Sequence, residues 1–484
     1  MSTQFDTQVI CVDENDVLSF TTDEITNIYT ELKEDHLFEG KLGDVYSFRT
    51  FSENGRPRNT VLVGIGGTNQ PNRMFKIATA FGEAICQVKK MGARSVVAWL
   101  DERLSEDETA KAIESMHLSK YRFEKYKSEP SGEISVAVSS PHNMKERAEE
   151  SILLAQQTCL ARDLVNEPPN VLIPETLAAA AVAQGEKCGF YVDVYDTAYI
   201  AEKEMGAFLA VAKGSKRPPF LIVMRYEGGG TERIGLVGKG LTYDSGGYNL
   251  KPGDSMLHMK SDMGGAAAVI GAVGAAAQAR LPINVVGVIA ACENMISGNA
   301  YKADDIVKTM SGKTVLIENT DAEGRLTLAD AVTYAIREEK VDRVIDIATL
   351  TGAAIVALGE GITACVTNQQ DFYSVVEKGA RLATEKVWQL PNDFDTVKQL
   401  KTDVADLRNI GGRAGGCITA GQFIGEFAGR TPWVHLDIAG PSFQDKETPL
   451  GPSGATGCGV RTLYQTLKLL AESKESTPIE PPLL

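Results

Sequence analysis

The segment Asn319-Thr320-Asp321-Ala322-Glu323-Gly324-Arg325 carries three charged side chains at alternating positions. It follows an apolar run, Thr314-Val315-Leu316-Ile317, that reads as a buried strand, and it precedes residues 326–332, which read as the start of a helix. Positions i and i+2 diverge by about 200° on a helix but project the same way from an extended loop. The spacing therefore predicts that Asp321, Glu323 and Arg325 face one spot. Two carboxylates beside a guanidinium suit either a metal site with an anion clamp or a structural ion pair. The segment alone leaves both readings open.

Further residues of the same kind lie upstream. The apolar run Ile234-Gly235-Leu236-Val237 continues into Gly238-Lys239-Gly240, so Lys239 is expected at the carboxyl end of a strand, where open α/β sheets place their sites. Asp244 follows in a glycine-flanked loop, Lys251 in Leu250-Lys251-Pro252, and Asp262 at the opening of a small-residue helix. Taken singly, Asp262 reads as a helix cap and the two lysines as surface residues. Taken together, Asp244, Asp262, Asp321 and Glu323 are four carboxylates that would repel one another at one sheet edge unless cations neutralised them. Hard oxygen donors hold divalent ions, and two such ions about 3.5–4 Å apart are a recurring hydrolytic device. A lysine ligand must lose its proton first, which makes Lys239 an unusual member of such a set.

The elements that must position these residues follow a βαβ grammar. Gln8–Val12, Thr60–Gly67 and Ala93–Leu100 read as strands, with a helix over residues 72–91 between the last two. The Gly64-Ile65-Gly66-Gly67 turn reads as a tight turn rather than a phosphate cradle, because the full G-x-G-x-x-G and its later acidic residue are missing. A helix over residues 143–164 is stopped by Asn166-Glu167-Pro168-Pro169-Asn170, since paired prolines force extended backbone. A second α/β region follows, with strands expected at 220–224, 234–237, 285–290, 344–347 and 434–438. The expected organisation is an α/β protein of two domains, each with a mostly parallel or mixed sheet flanked by helices. An N-terminal domain spans 1–145, a linker helix and its exit 146–170, and a C-terminal catalytic domain 171–484. The tail 473–484 is polar and Pro-rich and is expected to be loose.

Composition narrows the classes. At 484 residues the chain is too long for one ordinary core. Its 43% apolar and 23% charged content are those of a water-soluble globular protein. A net charge of −15 argues against a nucleic-acid surface as the main partner. The first basic residue is Lys33, so the expected signal-peptide n-region is missing, and the longest uncharged apolar run, residues 266–277, is too short to span a bilayer. The eight cysteines Cys11, Cys86, Cys159, Cys188, Cys292, Cys365, Cys417 and Cys458 form no C-x-x-C and read as reduced thiols of a cytoplasmic protein. With five histidines and no H-E-x-x-H or H-x-H, any metal must be held by other ligands.

Several segments resemble the leucyl (cytosol) aminopeptidase family, the hexameric dinuclear metallopeptidases. Asn-Thr-Asp-Ala-Glu-Gly-Arg-Leu at 319–326 matches the family's signature octapeptide, and Val237–Gly240, Asp244–Gly247, Met259–Gly265, Cys292–Asn294 and Asn166–Asn170 match further motifs. The match covers most of residues 160–484; the first 150 resemble the family only in layout. The resemblance implies hydrolysis of the N-terminal peptide bond, releasing single residues such as leucine, by a hydroxide activated by two metals. Lys239, Asp244, Asp262 and Glu323 would bind the tighter ion, and Asp244, Asp321 and Glu323 the exchangeable one. Lys251 would stabilise the oxyanion, and Arg325 would hold a bicarbonate acting as general base. Met259, Thr349, Gly352, Ala439 and Ser442 fall where the family's first side-chain pocket would be. The implied ions are zinc or manganese, with magnesium or cobalt as substitutes. The implied partners are peptides with a free N-terminus and five further copies of the chain in a homohexamer. Tyr243, Ser442 and Gly457-Cys458-Gly459 depart from common family residues, the second of them in the pocket. The competing readings are a non-enzymatic scaffold or nucleic-acid-binding protein of the same fold, and a nucleotide-binding protein using Gly64–Gly67.

Overall fold

A computed structural model describes residues 5–51, 55 and 57–475. The chain forms two compact units. One runs to Cys159 and includes the segment Asp445–Ser453; the other comprises Leu160–Gln444 and the chain from Gly454 onward. The division falls inside one helix, Lys145–Asn166, which ends just before Pro168-Pro169. The late return of Asp445–Ser453 to the first unit has no counterpart in the sequence reading.

The first unit is built on a five-stranded sheet. Its strands are β1 (Thr7–Val12), β2 (Val45–Phe51), β3 (Pro57–Gly64), β4 (Ser95–Trp99) and β5 (Ser135–Ser139), in the order β2-β3-β1-β4-β5. All pairs are parallel except β2 with β3. The expected strands are β1, β3 and β4, and the expected helix is Arg73–Lys90. The two further strands, β2 and β5, are edge strands of mixed polarity. An edge strand is covered less than a central one, so its apolar run is short. The Gly64–Gly67 turn is filled from within: the Arg73 guanidinium donates to Ile65 O and, at 2.7 Å, to Gly67 O, and its Nε pairs with Glu108 at 2.7 Å. Those carbonyls point at a cation, so the turn is structural and does not cradle a phosphate.

The second unit carries an eight-stranded mixed sheet. Its strands are β6 (Tyr191–Tyr195), β7 (Phe220–Glu227), β8 (Arg233–Asp244), β9 (Asn284–Asn294), β12 (Arg343–Ala348), β13 (Thr363–Thr367), β14 (Val387–Gln389) and β16 (Trp433–Asp437). A small three-stranded sheet holds β10 (Ile306–Lys308), β11 (Thr314–Leu316) and β15 (Leu407–Arg408). The large sheet runs β14-β13-β16-β12-β8-β9-β7-β6. Its centre, β9, β8, β12 and β16, is parallel and almost wholly buried, which is why these strands read as continuous apolar runs. Three expectations shift. The β8 strand continues to Asp244 through an irregularity at Leu241/Tyr243, so Lys239 lies within it rather than at its end. The run 314–317, expected as a buried strand, is a strand over Thr314–Leu316 in the small sheet, with Val315 alone of these three fully buried. Residues Ser473–Glu475 extend the helix Val460–Glu475, and the rest of the tail lies outside the described residues.

The helix Gly264–Gln278 lies directly on the sheet and is buried along most of its length. A side chain at Gly265 would collide with Ile347 O, and one at Gly238 would meet the Ala266 backbone at 2.8 Å. Small residues on both sides let helix and strands touch at the backbone, which fixes the entry of this helix, and hence Asp262, against β8 and β12. Among the described residues, no helix is long and apolar enough to cross a membrane.

Candidate metal and catalytic site

At the carboxyl ends of β8 and β9 the chain gathers four carboxylates and two ammonium groups. Lys239 Nζ lies 2.8 Å from Asp262 Oδ1, 2.9 Å from Glu323 Oε1 and 3.0 Å from Thr349 O. Lys251 Nζ lies 2.9 Å from Asp244 Oδ2 and 2.5 Å from Asp321 Oδ1. Asp244, Asp262 and Glu323 each present an oxygen within 4.8 Å of the others, and all three are buried. Four carboxylates against two ammoniums leave two negative charges in excess if all are ionised. The excess must be met by protons or by cations.

The individual environments say which groups bear that strain. Burial, followed by the charge of Asp244, pushes Glu323 up to about 8. Burial pushes Asp262 up to about 6 against the pull of Lys239, and raises Asp321 as well. Burial opposes the charge on Lys239, yet Asp262, Glu323 and Asp244 together hold its pKa above the usual lysine range. Lys251 is raised in the same way by Asp244, Glu323 and Asp321. Asp262 Oδ2 and Glu323 Oε2 are buried oxygens without a hydrogen-bond partner. A buried carboxylate oxygen left bare is costly; a divalent cation accepting these oxygens would remove that cost. The donor set is oxygen with one nitrogen, which suits magnesium, manganese or zinc ions.

Local sequence explains the placement. Asp321 hangs from a loop tied by Asn319, whose Oδ1 accepts Asp321 N at 2.8 Å. Thr320 anchors that loop: its hydroxyl donates to Gly246 O at 2.7 Å and its N–H donates to Asn249 Oδ1 at 2.8 Å. Its carbonyl accepts Tyr301 Oη at 2.7 Å and Asn294 Nδ2 at 3.0 Å. The helix then begins at Gly324, two residues earlier than the apolar pattern suggests, with Glu323 already in the right-handed helical region. Asp321, Glu323 and Arg325 therefore do not project side by side as from an extended loop, although all three border one cluster. Asp321 meets Lys251, Glu323 meets Lys239, and Arg325 turns to donate from Nη1 to Asn409 O at 2.9 Å. Asp262 is not the cap of the long helix. It closes the short 3-10 turn Met259–Ser261, while Met263 precedes the helix without a side-chain cap. Both lysines read singly as surface residues are largely buried, and Lys239 wholly so.

Arg325 is buried, and burial pulls its guanidinium down to about 10 even though Glu323 and Asp437 support the charge. Its Nε has no hydrogen-bond partner. A buried guanidinium with a free N–H fits a small planar anion such as bicarbonate. Of the five residues expected to form a side-chain pocket, Thr349 donates to Asp262 Oδ1 at 2.8 Å, and Thr349 and Ser442 flank Gly264. Asp437 accepts from Oγ1 of Thr351, the residue before Gly352, at 2.7 Å and from Ala439 N at 3.1 Å. Met259 lines an apolar hollow of about 460 Å³ with Pro169, Tyr243, Met256 and Leu257.

Three asparagines take part that no sequence spacing marks. Asn294 Nδ2 donates to Asp244 Oδ1 at 2.8 Å, Asn249 holds Thr320, and Asn409 Nδ2 donates to Asn319 O at 2.6 Å. Each braces a ligand-bearing loop through an amide, and an amide in a loop has no spacing that marks it. The one available signal was the position of Asn294 at the end of an apolar run, beside the Cys292-Glu293-Asn294 motif.

Comparisons with known proteins bear on this geometry. The cytosol aminopeptidase family's catalytic domain matches residues 159–464, and its N-terminal domain matches residues 9–130. The chain is similar to a probable cytosol aminopeptidase of Clostridium perfringens (strain 13 / Type A), at 49% identity over 459 residues, 92% of each chain. It is 43% identical over 457 residues to that of Clostridium tetani (strain Massachusetts / E88), covering 92% of this chain and 94% of the other. Among solved structures it resembles the bottromycin maturation enzyme BotP, with a TM-score of 0.86 and 32% identity over 97% of this chain and 100% of that one. BotP in complex with Mn matches with the same TM-score of 0.86 and 32% identity, over 96% and 99%. These matches carry metal-dependent aminopeptidase activity, a hydrolase chemistry acting on peptides. On both of its modules and over most of its length, the chain belongs to the cytosol aminopeptidase family.

Proposed function

We propose that this chain removes single residues, leucine among them, from the free N-terminus of peptides, using two divalent ions and the side chains gathered at the ends of β8 and β9. The observation that carries the reading is the buried trio Asp244, Asp262 and Glu323, with oxygens within 4.8 Å of one another. Asp262 Oδ2 and Glu323 Oε2 are left bare in this trio. Lys239, Asp244, Asp262 and Glu323 would hold the tighter ion; Asp244, Asp321 and Glu323 would hold the exchangeable one. Lys239 would shed its proton to do so, since an ammonium has no lone pair to offer. When bound, two such ions supply Lewis acidity that brings the pKa of a water toward neutrality.

The remaining steps belong to the chain. Lys251 keeps its proton and aims an N–H at the scissile carbonyl oxygen as it gains charge, which is the arrangement that lowers the barrier most. Arg325 would hold a bicarbonate through its free Nε, and the chemistry of that anion when bound is that of a general base. Asp262 receives the substrate's α-amine, which makes the enzyme an exopeptidase. Thr349, Gly352, Ala439 and Ser442 would receive the first side chain, with Met259 at its edge. Zinc or manganese as the native ion, a homohexameric assembly and a cytoplasmic setting complete the proposal.

The test is hydrolysis of leucine p-nitroanilide and of a leucyl peptide, before and after removal of metals and on restoring Mn²⁺ or Zn²⁺. Activity should vanish with the metals and return with them. An N-acetylated peptide should not be cut, and its turnover at a comparable rate would overturn the exopeptidase reading.

A further inference from the structure

The second unit holds a hollow that none of the proposed ligands or catalytic residues lines. It lies between the helix Gly206–Ala212, the turn that follows it and β10, and encloses about 700 Å³, room for a small metabolite. Lys213, Lys216 and Arg217 line it, and all three are exposed. Among the described residues no carboxylate lies within ion-pair distance of any of them. Their basic neighbours are paired: Lys203 with Glu338 at 2.6 Å, Lys302 with Asp305 at 3.6 Å, and Lys308 with Glu204 at 3.4 Å. Asp305, the carboxylate in the lining, is already engaged, accepting Lys302 N at 2.9 Å as well. In a chain of net charge −15, three unpaired cations around one concavity form a local positive field.

The turn that carries them is held before any ligand arrives. Ser215 Oγ donates to Glu293 Oε2 at 2.5 Å and accepts Arg217 N at 2.9 Å. A side chain at Gly214 would strike Met295 O, so the turn lies flat on the chain there. Pro218-Pro219 then keeps the exit extended. A fixed turn spares the ordering cost that a loose lysine cluster would bear on binding.

We propose that this hollow binds a small polyanion bearing phosphate or carboxylate groups, at a site separate from the catalytic cluster. One guanidinium with two ammoniums suits such an anion, the guanidinium giving direction and the ammoniums charge. The test is calorimetric titration of the metal-loaded, full-length protein with inorganic phosphate, glucose 6-phosphate and tricarballylate, at low salt and at about 0.3 M salt, where exposed charges are screened. At least one probe should bind saturably with one site per chain, more weakly at the higher salt. The phosphate probes alone would identify a phosphate ligand; tricarballylate alone would identify a polycarboxylate. Arg217→Gln should weaken binding about tenfold, roughly the loss of one charge-assisted contact. The triple change of Lys213, Lys216 and Arg217 to Gln should abolish it, while metal content and leucyl peptide hydrolysis stay unchanged. The proposal fails if no probe binds saturably below about 10 mM, a limit near the weakest specific affinities. It also fails if binding survives in the triple variant.

Discussion

The Lys239 side chain passes directly over Gly324: a Cβ at residue 324 would sit 2.5 Å from Lys239 Cε and 2.7 Å from its Nζ. The contact that brings Lys239 to Glu323 thus depends on residue 324 having no side chain. Gly324→Ala should push the lysine out of line and leave Glu323 less well opposed. We expect a stability loss of about 1–3 kcal/mol, the usual range for overpacking, and a reduced content of the tighter ion. Thermal melting together with metal analysis per chain would show both. Unchanged metal content with unchanged melting would contradict the close packing.

Asp244 and Glu323 are assigned to both ions, Asp321 to one. Asp244→Ala or Glu323→Ala should therefore release both metals, whereas Asp321→Ala should empty mainly the exchangeable site. Metal content after dialysis is the measurement. Two retained ions in Asp244→Ala would refute the shared-ligand assignment.

Lys251 and Arg325 are not assigned as ligands of either ion, so replacing either should leave the metals in place. Lys251→Ala removes a donor to charge that develops only in the transition state, a loss of roughly 3–4 kcal/mol or about 10²–10³ in kcat. Arg325→Ala should cost less, because other bases can stand in for a bound anion. Arg325 forms no ion pair with Asp321 or Glu323 among the described residues, so its loss should lower stability only by about 1–3 kcal/mol, through the buried hydrogen bond to Asn409 O, and not through metal loss. Full activity in Lys251→Ala would exclude the role given to it.

The stripped protein should show a characteristic pH dependence. Glu323 and Asp262 have folded values raised to about 8 and about 6 from 4.5 and 3.8. A raised carboxyl contributes stability that is fully present below its unfolded value and is lost as pH rises through its folded value. Metal-free protein should thus be less stable at pH 8.5 than at pH 5, by at least about 1.4 kcal/mol, the equivalent of one pKa unit. Glu323→Gln should remove much of that slope. Restoring the metals should flatten it, because the ions favour the deprotonated carboxylates. Melting curves across pH for stripped, reloaded and Glu323→Gln protein would settle the point. A stripped wild type that grows steadily more stable to pH 8.5 would count against the buried, charge-crowded cluster.

The sequence by itself carried the βαβ layout, the central strands β8, β9, β12 and β16, and the list of residues able to do chemistry. Buried parallel strands are continuous apolar runs, and charged residues within or after apolar runs stand out against that background. What the sequence could not decide was which charge meets which. The strand β8 runs on past Lys239, the helix begins at Gly324, and Arg325 turns to Asn409. As a result, Asp321 and Glu323 serve different lysines although they are two residues apart. Those pairings link residues 70 to 84 positions apart. They depend on backbone contacts at Gly238, Gly265 and Gly324 and on the amides of Asn249, Asn294 and Asn409. Such close approaches and single amide hydrogen bonds have no periodicity. They exist only once the sheet, the helix and the loops have packed together.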